Sequence, residues 1–442
     1  MKINVFGAGL AGCEAAWQIA RRGVGVRLYE MKPLKKTPAH KSDMFCELIC
    51  SNSLKAARIE SAAGLLKEEM RRMGSLLMEA ADNCAVPAGG ALAVDRDRFS
   101  SEVTQRLREH PLIEIISEEV RSIPEDGITV IATGPLTSDA LADRLSELCG
   151  SPLHFFDAAA PVITAESIDM EYAFTASRYD KGGDDAYINC PMNKEEYEAF
   201  HSALVSAERA PRHDVDVMNP KVYEGCMPVE ILAQRGLDTL RFGPMKPVGL
   251  RDPKTGHRPW AVLQLRTENA EKTMYNLVGF QTNLRFPEQK RVFGMIPALH
   301  NAEYVRYGVM HRNTYLESPR LLSADYSMKE YPGIFFAGQM TGVEGYMESA
   351  SSGLLAGINA VRRLKGQQTV ILPRETMTGA LADYISNSVS KDFQPMGANL
   401  GILPELSVHI RDKKERAAAY SQRGLAALDT MLEEINYGTD NG

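Results

Sequence analysis

Two sets of residues in this chain could do chemistry by type and spacing: a glycine cluster near the start and seven scattered thiols. Gly7-Ala8-Gly9-Leu10-Ala11-Gly12 is G-x-G-x-x-G. It follows Lys2 to Phe6, which reads as a short buried strand, and it opens Leu10 to Arg22, which carries Ala15, Ala16 and Ile19 on one helical face. In that setting the first glycine permits the turn, the second lets a phosphate approach the backbone, and the third lets helix pack on strand. The amides at the head of the helix can then receive a pyrophosphate. Val24 to Glu30 reads as a second strand, and Glu30 ends it 18 residues past Gly12. A carboxylate there can hold the ribose hydroxyls of an adenosine and disfavours a 2′-phosphate.

An S-adenosylmethionine site also uses a glycine turn and a strand-end acid, but two later junctions favour FAD. Ile128 to Ala132 is a short β-branched run that ends in Ala132-Thr133-Gly134-Pro135, the kind of turn where a flavoprotein chain returns to its cofactor. Far downstream, Gly333 to Ala337 leads into Gly338 and Gln339, then Gly342, Glu344, Gly345 and the small-residue run Glu348-Ser349-Ala350-Ser351-Ser352-Gly353 at the head of a helix. Small side chains let the backbone approach ribitol and pyrophosphate, and a helix N-terminus suits phosphate charge.

Cys13, Cys46, Cys50, Cys84, Cys149, Cys190 and Cys226 are odd in number and scattered, so a complete set of internal disulfides is impossible and reduced thiols in a cytosol are the simpler reading. The closest pair, Cys46 and Cys50, has no second pair to complete a zinc site, so no structural metal is expected. Taken singly, each thiol reads as a small buried hydrophobe.

The elements that must position these residues follow from the three strand-to-glycine junctions. Their wide separation implies one sheet assembled from discontinuous segments, with the middle of the chain inserted as a separate lobe. The fold class expected is α/β: a Rossmann-like, glutathione-reductase-like FAD-binding domain from residues 1–150 and 325–365, an inserted α/β lobe at 151–324, and a mainly helical C-terminal extension at 366–442. The last rests on the Ala-, Leu-, Arg- and Glu-rich stretch that includes KKERAAAYSQRGLAALDTMLEEI. At 442 residues, several lobes are the default.

Composition excludes several classes. Hydrophobic residues at 44% and charged residues at 24% describe a folded globular chain. The start lacks the apolar core of a signal peptide, and no run reaches the roughly 18 apolar residues of a membrane span, so a cytoplasmic protein without membrane attachment is expected. A net charge of −7 argues against a basic nucleic-acid coat, yet Arg241 to Arg291 holds ten Lys/Arg against four Asp/Glu, leaving +6 on that segment and −13 on the remainder. Arg241, Lys246, Arg251, Lys254 and Arg258, set among Gly and Pro turns beside Trp260, are the natural contacts for RNA phosphates, with a solvated charged face as the competing reading.

Longer blocks carry a family resemblance. GAGLAGCEAAWQ, ELICSNSL, RFGPMKPVGL, LVGFQTNL, YGVMHRNTY and FAGQMTGVEGYMESASSGLLAG together resemble the folate- and FAD-dependent tRNA uracil-5 methyltransferases called TrmFO. The opening also resembles the larger MnmG (GidA) flavoproteins, whose extended C-terminal helical region this chain looks too short to hold. The resemblance implies an RNA methyltransferase that forms ribothymidine in the T-loop of tRNA. Reduced flavin would take a methylene from 5,10-methylenetetrahydrofolate and then supply hydride, with NADPH or NADH as reductant. It also implies that Cys50 and Cys226 are catalytic, Cys50 close to the flavin and Cys226 the nucleophile on uracil C6. Uracil C5 is a poor nucleophile until a thiolate adds at C6, so a cysteine is what such chemistry needs. The alternatives are the same chemistry on ribosomal RNA, or an FAD oxidoreductase of the MnmG type. The other five cysteines keep the packing role.

Overall fold

The computed structural model describes residues 2–437 except 38, 125, 151–152, 159, 181–186, 211–226, 268–271, 309, 389–392 and 394. Five strands form one wholly parallel sheet, in the order Ile334–Phe336, Thr129–Ile131, Lys2–Phe6, Gly25–Glu30, Ile113–Ser117. Ile3, Val5, Val26, Leu28, Val130 and Ile131 are wholly buried, the continuous apolar character of strands covered on both faces. The edge strand Ile113–Ser117 was not anticipated, because its alternating Glu and Ile resemble many exposed segments. The three glycine-ended strands, separated in sequence, are neighbours here, and all three turns open at the C-terminal ends of their strands, where ligands of open α/β sheets bind.

Helix Leu10–Ala20 packs along helix Tyr346–Leu364 at unusually short range. A Cβ on Gly353 would fall 2.1 Å from the Ala11 carbonyl oxygen, and one on Gly357 2.7 Å from that of Ala15. Gly353, read from sequence as clearing space for a phosphate, is therefore a packing glycine. Two carboxylates finish this core. Glu14 is wholly buried and accepts from Ser75 Oγ at 2.7 Å and Leu77 N at 3.1 Å. Glu69, on helix Ala62–Arg72, accepts from Met377 N (2.6 Å), Thr378 N and Thr378 Oγ1 (both 2.8 Å). That carboxylate meets the positive end of helix Met377–Asn387, as a helix N-terminus favours. Burial nonetheless pushes its pKa up to about 7.

A second sheet is antiparallel, in the order Phe174–Thr175, Ile188–Met192, Ala261–Thr267, Met274–Leu277, Val162–Thr164, Tyr304–Arg306. Tyr197, Phe200 and Leu204 of helix Lys194–Ser206 pack on it with Phe280 and Phe293 to form a core separate from the first. Asn193 starts that helix with a capping box closed by Glu196. Strands Leu153–Ala158 and Met310–Tyr315 pair antiparallel, so the chain passes between the two cores along one two-stranded ribbon. The long helix Lys413–Tyr437 lies against the first core, tied by Ser421 Oγ to Ile59 O at 2.7 Å and by Arg72 to Asp429 at 2.6 Å.

A small third sheet joins Ser53–Ala56, Ala91–Val94 and Ala85–Val86. Cys50 lies in a bend directly ahead of Ser53–Ala56. Asn52, next to it, is wholly buried and donates from Nδ2 to Val94 O (3.0 Å) and to Thr267 O (2.7 Å). Arg266 returns hydrogen bonds to Asn52 Oδ1 (3.0 Å) and Ser51 Oγ (2.6 Å). The end of the second sheet is thereby stapled to the Cys50 bend.

Candidate active site

A single cleft of about 1370 Å³, including its open mouth, runs along the C-terminal ends of the parallel strands. Gly7, Ala8, Gly9, Leu10, Ala11, Glu30, Gly134, Gly338, Gln339 and Cys50 all line it. The three glycines of the turn divide the work physically. Gly7 has φ +92°, which L side chains rarely adopt, and a Cβ there would meet Ala132 O at 2.7 Å. Gly12 faces away from the cleft, where a Cβ would fall 1.8 Å from Gly7 O. Gly9 has ordinary backbone angles and no protein atom within 4 Å of its would-be Cβ. Its missing side chain leaves space free at the head of helix Leu10–Ala20, where a pyrophosphate fits.

Glu30 accepts from Ala8 N at 2.8 Å through one oxygen and from Lys32 N at 3.0 Å through the other. Each oxygen keeps a further lone pair, so the carboxylate is rigidly aimed and can still accept from ribose hydroxyls. Gly134 and Gly338 have φ +71° and +87° and bring two more backbone turns to the rim. At Gln339, Nε2 donates to Tyr315 Oη (2.8 Å) and to Glu344 Oε2 (2.9 Å), so a buried carboxylate holds the amide in place. The cleft therefore fits a dinucleotide.

At its inner end Cys50 meets Tyr346, the first residue of helix Tyr346–Leu364. The phenol oxygen accepts from Cys50 N at 2.8 Å and Ser51 N at 3.3 Å, and lies 3.1 Å from Cys50 Sγ. Burial, with Cys50 beside it, holds the Tyr346 pKa well above its ordinary value, so the phenol keeps its proton. With two N–H groups already filling its lone pairs, the O–H is left to point at the sulfur. Cys50 is thus a half-buried thiol with a fixed hydrogen-bond donor, unlike the others described.

Those others are packed away. Cys13, Cys84, Cys149 and Cys190 are buried, and burial pushes their thiol pKa values up, to about 11 for Cys84 and Cys149. Cys46 is also fully buried, but it lines the cleft wall, which its sequence context did not indicate. Cys226 lies outside the described residues.

Sequence reasoning missed Lys32, Thr37 and His40 among the cleft residues. Lys32 is almost fully buried, 3.8 Å from Glu47; burial of His40, aided by the Lys32 charge, depresses the imidazole pKa, so His40 stays neutral at pH 7. None of these belongs to a recognisable fingerprint. Lysine after a strand-end acid was the only available signal.

The basic segment lies on the second core, away from the cleft lining. Lys246, Arg251, Lys254 and Arg258 are exposed, while Arg241 is half-buried, its guanidinium 3.8 Å above the Trp260 ring and bonded to Asp238. Lys254 Nζ donates to Glu171 O.

Comparison with known proteins fixes the family. The model of the family described as glucose inhibited division protein A matches residues 2–368. A protein of Acetivibrio thermocellus named methylenetetrahydrofolate–tRNA-(uracil-5-)-methyltransferase TrmFO is 60% identical over 435 residues, covering 98% of this chain and 99% of its own. One of Lactobacillus gasseri with the same name is 57% identical over 433 residues, 98% of each chain. The chain belongs to the TrmFO family. Among solved structures, Aquifex aeolicus GidA superimposes with a TM-score of 0.69 at 17% identity, over 98% of this chain and 76% of that one, which places the TrmFO-family chain in the GidA-like fold. Among its described residues, no helix is long and apolar enough to cross a membrane, and no group of three or more His, Cys, Asp or Glu could hold a metal ion.

Proposed function

We propose that this chain is a methylenetetrahydrofolate- and FAD-dependent methyltransferase that forms 5-methyluridine in the T-loop of tRNA. The observation that carries this is near-full-length identity of 56–60% to relatives bearing that name. FAD held in the cleft supplies redox chemistry and, with NADPH or NADH as electron source, the means by which a folate methylene becomes a methyl group. The residues proposed to hold it are Gly7 to Ala11, Glu30, Gly134, Gly338 and Gln339, with Gly12 seating the helix on its strand: amides toward the pyrophosphate, a carboxylate toward the ribose, and backbone turns along the ring system.

The thiols do the uracil chemistry. Attack of the Cys226 thiolate on C6 forms a C–S bond and breaks the C5=C6 π bond, leaving an enolate whose C5 bonds to the incoming carbon. Loss of the C5 proton with departure of the carrier nitrogen would leave an exocyclic methylene, and a hydride equivalent added to that carbon, supplied by the reduced cofactor, would complete the methyl group and restore the C5=C6 double bond as sulfur leaves. Cys50, held by Tyr346 at the inner end of the cleft, is placed to move protons beside the cofactor. Lys246, Arg251, Lys254 and Arg258 are proposed as phosphate contacts, with Arg241 bracing them through Trp260. Residues 1–150 with 325–365 carry the cofactor in this reading, 151–324 the RNA, and 366–442 the helical support.

The test is methyl transfer to tRNA lacking ribothymidine, with product identified by mass. Transfer should require methylenetetrahydrofolate and be indifferent to S-adenosylmethionine. Methylation of ribosomal RNA instead would overturn the target, and dependence on S-adenosylmethionine would overturn the chemistry. Cys226→Ala should abolish product while keeping FAD and tRNA binding, and 5-fluorouracil-containing tRNA should trap an adduct on Cys226. An adduct on Cys50 would reverse the two roles.

A further inference from the structure

Within the basic segment one large apolar side chain is out of place. Phe242 is 82% exposed, the most exposed large hydrophobic residue among those described, and Leu237 beside it is 46% exposed. With Pro244 they line a shallow open hollow at the end of the short helix Thr239–Phe242. A scattered exposed hydrophobe needs no explanation, but this ring is held where it is. Arg241, its neighbour, donates from Nε to Trp260 O at 3.0 Å, stacks on the Trp260 ring and pairs with Asp238. Met245 N donates to Leu240 O at 2.8 Å, closing the turn on the other side. Gly243 follows Phe242, so no adjacent side chain covers the ring. The turn is braced at both ends, and Phe242 projects from it.

Of the two charged residues that line the hollow, Arg235 and Asp238, the acid is already paired with Arg241, so the exposed cation of the same turn says what would cover the ring. Lys246 and Arg258 are exposed and form no side-chain hydrogen bond or ion pair among the described residues. Lys246 is held in the same turn as Phe242 by its main-chain bond to Gly243 O at 3.2 Å, and Arg258 lies two residues before Trp260 in the same basic segment. An apolar protein partner would leave Lys246 uncompensated. An exposed ring with an exposed lysine in the same turn, on a basic segment, suits single-stranded nucleic acid, in which a base stacks on the aromatic face while an adjoining phosphate meets the charge.

We propose that Phe242 is a stacking platform for an unpaired nucleobase of the RNA substrate, with Lys246 neutralising a flanking phosphate. This rests on the RNA-modifying reading above. It adds a contact that the charge count of the segment did not contain, since stacking is read through shape rather than charge.

The experiment measures tRNA affinity of the full-length protein across a range of salt concentrations, for wild type, Phe242→Ala, Phe242→Trp and Lys246→Ala. Phe242→Ala should bind about 10-fold more weakly at every salt concentration, with the slope of log K against log salt unchanged, because no counterion release is lost. Phe242→Trp should bind as well as wild type or better. Lys246→Ala should reduce the slope by about one. Wild type that binds no RNA overturns the RNA reading and this proposal with it. Wild-type binding that Phe242→Ala leaves within about twofold overturns this proposal alone. So does a Phe242→Ala variant that changes from dimer to monomer in sedimentation equilibrium, since a second copy would then be the occupant.

Discussion

The cofactor cleft and the basic face of the second core solve recognition in opposite ways. In the cleft, the groups that would touch a ligand are tied to one another first: Glu30 to the Ala8 and Lys32 amides, Gln339 to Glu344 and Tyr315, Tyr346 to the Cys50 bend. On the basic face, Lys246 and Arg258 reach solvent untied, while Arg241 is engaged through Trp260 and Lys254 through the Glu171 carbonyl. A ligand of fixed shape meets a prearranged site and loses little to ordering. A long polyanion is held by many weak contacts whose positions can vary. The difference teaches that the cleft should be sensitive to ångström-scale steric change and the face to ionic strength.

The largest break in that comparison should come from the glycine turn. Gly12→Ala drives a Cβ into the Gly7 carbonyl at 1.8 Å, backbone against backbone. Overpacking of this kind should destabilise the protein by about 3 kcal/mol and remove FAD, both visible in a thermal melt and in flavin absorbance. Gly9→Val places its side chain in open space. The apoprotein melt should stay within about 0.5 kcal/mol of wild type while FAD occupancy is lost. Equal melting losses for the two variants would show that the turn is not divided between packing and ligand approach.

An intermediate effect separates the cores by pH. Glu69 anchors helix Met377–Asn387 in the first core, and burial raises its pKa from the ordinary 4.5 to about 7. Folding thus favours the protonated form. The stabilisation is complete below about pH 4.5 and is lost as pH rises through about 7. At about 1.4 kcal/mol per unit the full span is of the order of 3 kcal/mol. Glu69→Gln, neutral throughout, should flatten the dependence of stability on pH between 5 and 8. A denaturant titration in which wild type and variant run parallel across that range would remove Glu69 as the cause.

The smallest structural effect should come from the basic face. Lys246→Glu with Arg251→Glu alters two exposed side chains, so stability should change by less than about 0.5 kcal/mol for each and the flavin spectrum should not move. Binding of tRNA should nevertheless fall about 10-fold or more at low salt, with a shallower salt dependence. Unchanged affinity in a filter-binding or fluorescence titration would leave these residues as a solvated face.

What the sequence by itself determined is whatever a few neighbouring residues settle among themselves. G-x-G-x-x-G between an apolar run and a helical face dictates strand, turn and helix, because positive φ and close backbone approach admit only glycine at Gly7 and Gly12. The acid at the end of the next strand and the +6 segment were legible for the same reason, being local in the chain. Tertiary structure alone decided the rest. Cys50 and Tyr346 stand 296 residues apart, and nothing in either segment specifies the other. Asn52 is a buried staple only because Thr267 and Arg266 arrive from the second sheet. Gly353 reads as a phosphate-side glycine until Ala11 is placed against it. Nothing in the sequence around Phe242 says that its ring is exposed, which follows from how its neighbours pack. Periodicity and composition are sums over adjacent residues, whereas burial, hydrogen-bond partners and exposure depend on which distant segments pack together, and that is settled when the two cores condense.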